Sequence, residues 1–252
     1  MTAARSADPL APLLELAGIA DAVARVRRAL IAVHNHPVNR RGWPATAAEA
    51  RLRAARASAA LDGAPIERGD RVHSPVLAGA VRVAEESGRL LGTWRSAPLQ
   101  ALARLHVLAA ADLVAAERRG SELGFPRPDP QVSQRLRLLA ELVTGGTSVA
   151  APVLVAVVHG ELLTLAPFEV ANGVVARAAA QLTAIATGLD PKGLAVPEVG
   201  HLRRAAEYRR AAEGFAAGTA DGLGTWLLHC CAQWEAGARE ATSIAEAHGT
   251  PT

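Results

Sequence analysis

The residues with the types and spacing to do chemistry lie in the run HGELLTLAPFEVANGVVAR, positions 159 to 177. An apolar helical stretch ending in His159 leads into Ala166-Pro167-Phe168-Glu169-Val170-Ala171. A second helical pattern then opens at Asn172-Gly173. A loop that feeds a helix N-terminus presents unpaired backbone N–H groups and the positive end of the helix dipole, so its natural ligand is an anion. Gly173 lets the backbone approach that anion closely. Asn172 has the side chain of a helix cap. Arg177, one turn into the helix, can reach a phosphate or a carboxylate. Ala166 carries no titratable group and cannot serve as general base. Val170 offers no metal-ligating oxygen, Val174 offers no guanidinium, and Glu169 is the one acid of the loop. About a hundred residues upstream, Ser58-Ala59-Ala60-Leu61-Asp62-Gly63 sets a hydroxyl and a carboxylate four residues apart, on one face of a helix.

The order of these pieces resembles the Fic (Fido) family, whose motif reads H-P-F-x-(D/E)-G-N-G-R-x-x-R on a loop between two helices. Pro167, Phe168, Asn172, Gly173 and Arg177 match it. Ala166 stands at the catalytic histidine, Val170 at the metal-binding acid, Ala171 at the first glycine and Val174 at the first arginine. In the family the histidine deprotonates the target hydroxyl and the acid holds Mg²⁺ against the nucleotide phosphates. Ser58, Asp62 and Gly63 resemble the inhibitory motif (S/T)-x-x-x-E-(G/N), with Asp in place of Glu. There the acid pairs with the motif's last arginine, so the resemblance implies an Asp62–Arg177 pair, with closer helices or a bridging water to offset the shorter side chain. Pro152 to His159 resembles the helix entering the motif, and Tyr208 and Trp226 resemble aromatic residues of the closing helices. The resemblance covers roughly residues 50 to 240. The substrate-docking β-hairpin flap is cut back, because Gly124-Phe125-Pro126-Arg127 runs straight into Pro128-Asp129-Pro130 and proline removes ladder donors.

The resemblance implies an all-α, Fic-like helical bundle with an N-terminal helical extension and little or no β-structure. Residues 1–70 form the region with the degenerate inhibitory motif, and 71–252 the helical core. It implies a Fido-domain protein that has lost AMP transfer (AMPylation) and serves as a binding or regulatory protein. There is then no catalytic residue, no metal ligand and no required cofactor. Residual binding of ATP or another nucleotide without Mg, a protein partner and a homodimer are all compatible with it. Two alternatives stay open: an active transferase using another base or another phosphorylated donor, and an unrelated helical regulator or scaffold.

Other groups carry less. Cys230 and Cys231 are the only cysteines, and helix neighbours point about 100° apart, poorly placed for one metal. They read as buried small hydrophobes in a reducing compartment. His34 and His36 flank a proline-bounded turn and read as a surface loop, His159 as a satisfied core histidine, and His229 as unremarkable. Gly145-Gly146-Thr147-Ser148 lacks the lysine of a phosphate loop. Half of the 252 residues are apolar but only 3% are aromatic, so the core must be aliphatic and alanine-rich, with closely approaching helices. Lys192 is the only lysine, and the net charge of +3 is spread along the chain, too small and diffuse for nucleic-acid binding. No apolar run reaches the ~18 residues of a membrane span and no secretory signal opens the chain, so a cytoplasmic protein is expected.

The elements that must position these residues read as helices at 10–33, 46–62, 73–91, 97–119, 130–144, 149–164, 172–188, 200–216 and 222–246. Thr46 opens the second helix and Gly63 closes it, while Ser74-Pro75 forms a cap and first-turn pair. Gly120, Pro126 to Pro130, Gly145-Gly146 and Pro191-Lys192-Gly193 punctuate the rest.

Overall fold

A computed structural model describes residues 8–66 and 74–249. Among these residues there are twelve α-helices and no strand: α1 Ile19–Asn35, α2 Pro37–Arg41, α3 Trp43–Leu61, α4 Pro75–Ser96, α5 Pro98–Ala110, α6 Arg119–Glu122, α7 Pro130–Glu141, α8 Ala151–Leu165, α9 Asn172–Ala186, α10 Pro197–Arg203, α11 Ala205–Ala217 and α12 Ala220–Gly249. The 70/71 boundary and the start of a helix at 73 lie outside the described residues.

The helix pair flanking the motif loop forms the centre of the molecule. From Pro152 through Gly160, α8 is buried at every position, and α9 buries Val174 through Arg177 and most of its later residues. A helix apolar all round must be surrounded. α4, α5 and α7 pack on one side of the pair, joined in a cluster that includes Trp94, Leu105, Leu136, Leu162 and Leu182. On the other side α1, α12 and the 189–195 segment form a second cluster around Leu30, Val155, Ala184 and Trp234. α11, through Tyr208, and α12, through Trp226, close the end of α8. With few aromatic rings to fill space, the helices approach on small residues. A Cβ on Gly79 would strike the carbonyl of Ala109, where α4 crosses α5, and one on Gly222 would strike the backbone of Gly214 between α11 and α12.

Three expected helices are broken, each for a local reason. The stretch from 10 to 33 is a 3₁₀ turn, Ala11–Glu15, followed by α1, because Gly18 takes a left-handed conformation at φ 77° between them. The stretch from 97 to 119 stops at Ala110. There the Arg119 guanidinium turns back to donate to the carbonyls of Ala111 at 3.0 Å and Val114 at 3.3 Å, satisfying helix-end acceptors. The stretch from 200 to 216 is split at Arg204, which leaves the helical conformation at φ −121° and ψ 39°.

Caps also differ from expectation. α3 begins at Trp43, before Thr46, with Pro44 in its first turn. The Thr46 hydroxyl instead donates to the buried Asn39 side chain at 2.8 Å. Ser74 does cap α4, accepting from the Leu77 N–H at 3.4 Å. His34 lies in the last turn of α1 rather than in a surface loop, and its Nε2 meets the fully buried Asp190 carboxylate at 2.9 Å. Cys230 and Cys231 are buried free thiols. Among the described residues no helix is long and apolar enough to cross a membrane.

Candidate functional site

α8 ends and α9 begins on either side of the loop 166–171. Ala166 and Ala171 sit at its two edges with φ 45° and 60°, the only non-glycine residues among those described with positive φ. An L-residue in the left-handed region costs roughly 1–2 kcal/mol, so the surroundings must hold the loop. Asn172 does so from inside: its Oδ1 accepts from the Phe168 N–H at 2.9 Å and its Nδ2 donates to the Phe168 carbonyl at 2.8 Å. The asparagine is therefore a clamp across the loop and not the helix cap that its position suggested. Phe168 is buried and stacks on the His106 ring, with centroids 4.0 Å apart and planes within 5°. The His106 Nδ1 in turn accepts from the Gly124 N–H at 3.0 Å.

The third brace is Arg127. Its N–H donates to the Pro167 carbonyl at 2.8 Å, its Nε to the Ala166 carbonyl at 3.1 Å and its Nη2 to the Leu165 carbonyl at 3.1 Å. The guanidinium thus satisfies carbonyls at the end of α8, where the helix dipole is negative. The segment 123–129 contains no strand; it lies along the loop as a backbone brace.

The cap of α9 comes from α3. Asp62 Oδ2 accepts from the Val174 N–H at 3.0 Å, and Oδ1 accepts from Arg177 Nη2 at 2.7 Å. The carboxylate lies so close over Gly173 that a Cβ there would collide with it. That close approach is what requires glycine at this position. A carboxylate thus fills the anion-binding site that the sequence pattern marks out. The pair is direct, with no bridging water, because α3 lies near enough for the shorter acid to reach.

Arg177 uses the rest of its fork on neighbouring helices. Its Nε donates to Ser58 Oγ at 2.8 Å, its Nη2 also to the Ser58 carbonyl at 2.9 Å, and its Nη1 to Tyr208 Oη at 3.3 Å. Ser58 and Asp62, one turn apart at the end of α3, meet the same guanidinium. The Arg177 side chain is 2% exposed and that of Asp62 24%. The Tyr208 hydroxyl continues the network, 2.8 Å from His159 Nε2, and burial pushes its pKa up to about 12. His159 packs edge-on against His201 at a centroid distance of 5.2 Å, and His201 Nδ1 lies 3.1 Å from His229 Nε2. Burial, followed by the neighbouring Arg177 charge, holds His159 well below the usual imidazole range. Burial does the same to His201 and brings His106 to about 4.

The loop therefore brings together Pro167, Phe168, Asn172, Gly173 and Arg177 with Ser58 and Asp62, while Gly63, at φ 92°, turns the chain just after α3. Ala166 brings no functional group to the place where a proton acceptor would stand. Glu169 is exposed, and no group of three or more His, Cys, Asp or Glu among the described residues is placed to hold a metal ion. Sequence reasoning missed Arg127, His106 and His201. Nothing local marks them, since each acts on a partner far along the chain.

Solved structures of Fic proteins share this architecture. A Fic family protein from Desulfovibrio desulfuricans G20 superposes with a TM-score of 0.75 at 19% identity, over 93% of this chain and 76% of that one. A fragment of Fic-1 from C. elegans gives 0.67 at 14% identity, over 94% and 76%. A point variant of that fragment gives 0.69 at 16% identity, over 92% and 74%. The chain has the Fic fold. No protein-family model and no curated protein matches its sequence. The residues of its loop do not suit the magnesium ion that the family motif binds: Val170 has no donor, and Asp62 is engaged by Arg177 and Val174.

Unfolding measurements test the pairing. Arg177→Ala should cost about 3 kcal/mol or more, because it leaves the Asp62 carboxylate and buried hydroxyls without their donor. Asp62→Ala should cost about 2–3 kcal/mol, by stranding a buried guanidinium. The double variant should cost about 1–3 kcal/mol less than the sum of the two. Urea unfolding of the four proteins measures this, and strictly additive losses would contradict the pairing. The buried imidazoles should weaken the fold as pH falls. Their folded pKa values lie below the unfolded value of about 6.5, so the unfolded state takes up protons first as pH falls. Stability should be complete above pH ~6.5 and fall between pH 6.5 and 4 by on the order of 1 kcal/mol per imidazole per pH unit. His201→Gln should flatten that slope; an unchanged slope would exclude His201 as a contributor.

Proposed function

We propose that this chain is a Fic-fold protein that transfers no nucleotide, and that it serves as a cytoplasmic binding or regulatory protein acting on a protein partner. The observation that carries this reading is the Asp62 carboxylate seated on the Val174 N–H and the Arg177 guanidinium. A phosphate needs the same donors, and a fixed carboxylate both occupies them and repels a second anion. The position from which a side chain would remove a proton from a target hydroxyl holds Ala166, and loss of a general base alone typically costs ~10²–10⁴-fold in rate. Val170 removes the oxygen that would bring a metal ion to the phosphates. The segment that would dock a target strand is instead hydrogen-bonded to the loop through Arg127.

On this reading the loop keeps its backbone form because α8, α9 and the 123–129 segment are tied together through it. Any residual affinity for ATP or another nucleotide is metal-independent and is opposed by Asp62.

Incubation with labelled ATP and other nucleoside triphosphates, alone and with host lysate, should leave every protein unlabelled. Ala166→His with Val170→Asp and Val174→Arg restores the missing groups, yet should also transfer nothing, because neither the flap nor an open anion site is restored. Adding Asp62→Ala to the wild-type chain should tighten ATP binding at least tenfold by calorimetry without producing transfer. Label that appears on protein with the wild type and disappears with Arg177→Ala would overturn the proposal.

A further inference from the structure

α3, α4, α9 and the 192–198 segment enclose a cavity of about 100 Å³, open to solvent on one side. It runs along the face of α9 from Val174 to Ile185 and shares Ser58, Val174 and Arg177 with the motif site. Its walls are small and apolar, chiefly Ala50 and Ala54 from α3, Ala80 and Ala84 from α4, and Ala178 from α9. Arg177 touches one wall, but four of its five N–H donors are taken by Ser58, Asp62 and Tyr208.

The charged groups of the cavity are unbalanced in a specific way. Glu198 lines it and is 3% exposed, yet among the described residues no cation lies within ion-pair distance of its carboxylate. Its oxygens accept from the side-chain amide of Gln181, at 3.2 and 3.3 Å. Burial pushes its carboxyl up from the ordinary value, against the opposing pull of the Gln181 bond and the Arg177 charge. Lys192 and Arg51 line the same cavity. Lys192 donates to the Asn39 carbonyl at 2.9 Å and has no carboxylate partner among the described residues. Arg51 is exposed at the cavity rim and makes neither a hydrogen bond nor an ion pair with any of the described residues. Their neighbourhood is otherwise well paired: Arg53 bonds to both Glu49 and Glu240, and Arg25 to Glu235. A buried acid with no cation within ion-pair distance thus lines the same apolar cavity as two cations without an acid, Lys192 and, at the exposed rim, Arg51.

We propose that this cavity binds a small zwitterion, a primary amine and a carboxylate joined by an apolar body. The ammonium donates to Glu198, the carboxylate meets Lys192 and Arg51, and the carbon chain lies on the alanine walls. At one water per 10–15 Å³ the space admits roughly seven to ten non-hydrogen atoms, the size of a free amino acid with an aliphatic chain. A lone amine leaves Lys192 and Arg51 unanswered, and a lone carboxylate leaves Glu198 unanswered. Its ligand needs no chemistry from the motif loop, although Ser58, Val174 and Arg177 line both.

Calorimetric titration of the full chain tests this with leucine, 5-aminovalerate and 6-aminohexanoate, against hexanoate and hexylamine as half-ligands. At least one zwitterion should bind ten or more times more tightly than either half-ligand. Lys192→Met and Glu198→Gln should each weaken that binding at least tenfold. Ala84→Leu, which fills the space, should remove it while the helical circular dichroism signal is unchanged. Should Glu198→Gln or Ala84→Leu fail to fold, Lys192→Met at the cavity edge decides. No binding by any of the three zwitterions, equal binding by a half-ligand, or undiminished binding by the folded variants would overturn the proposal.

Discussion

A buried guanidinium is tolerated only where its donors are met, and Arg177 is met from two neighbouring helices. The end of α3 supplies Ser58 and Asp62, and α11 supplies Tyr208. Taking an arginine out of water costs several kcal/mol unless charge and hydrogen bonds compensate. The position of α3 against α9, and of α11 against both, is therefore fixed more tightly than alanine packing alone would fix it. The same Asp62 carboxylate ends the run of unpaired N–H groups at the start of α9. One acid thus answers a backbone requirement and a side-chain requirement together, and the aspartate's short reach forces the two helices close. Gly173 is the steric counterpart of that approach.

The loop illustrates how a backbone can hold its form without the chemistry its pattern suggests. Ala166 and Ala171 hold left-handed conformations that glycine would adopt more cheaply. Nothing in the side chains of Ala166, Val170 or Val174 rewards that strain. The compensation comes from elsewhere: the Asn172 clamp, the three bonds from Arg127, and the Phe168–His106 stack. These groups shape the loop and give it a structural role, tying α8, α9 and the 123–129 segment together.

Much of this was legible in the sequence, and the reasons differ by element. The all-helical class came from apolar spacing and from proline and glycine punctuation. The pairing of Asp62 with Arg177 came from a hydroxyl and an acid one helical turn apart, together with the resemblance of the loop to the Fic motif. The failures were local. Asn172 has the composition of a cap, but its side chain closes a six-residue loop instead, because a carboxylate from a distant helix already serves as the cap. Helix ends at Ala110 and Arg204 depend on a returning guanidinium and on a single residue's backbone, neither of which periodicity registers. The roles of Arg127 and His106 rest on partners more than fifteen residues away, and the unbalanced charges of the α3–α4 cavity belong to no motif at all.

The central claim is that the anion site of α9 is filled by the chain's own carboxylate. The Val174 N–H reports on it directly, because its acceptor is Asp62. Amide hydrogen exchange at Val174, monitored by NMR in the wild type and in Asp62→Ala, measures that bond. Strong protection in the wild type that is lost in the variant, with the interior of α8 protected in both, is the predicted result. Rapid exchange of the Val174 amide in the wild-type protein would contradict the account.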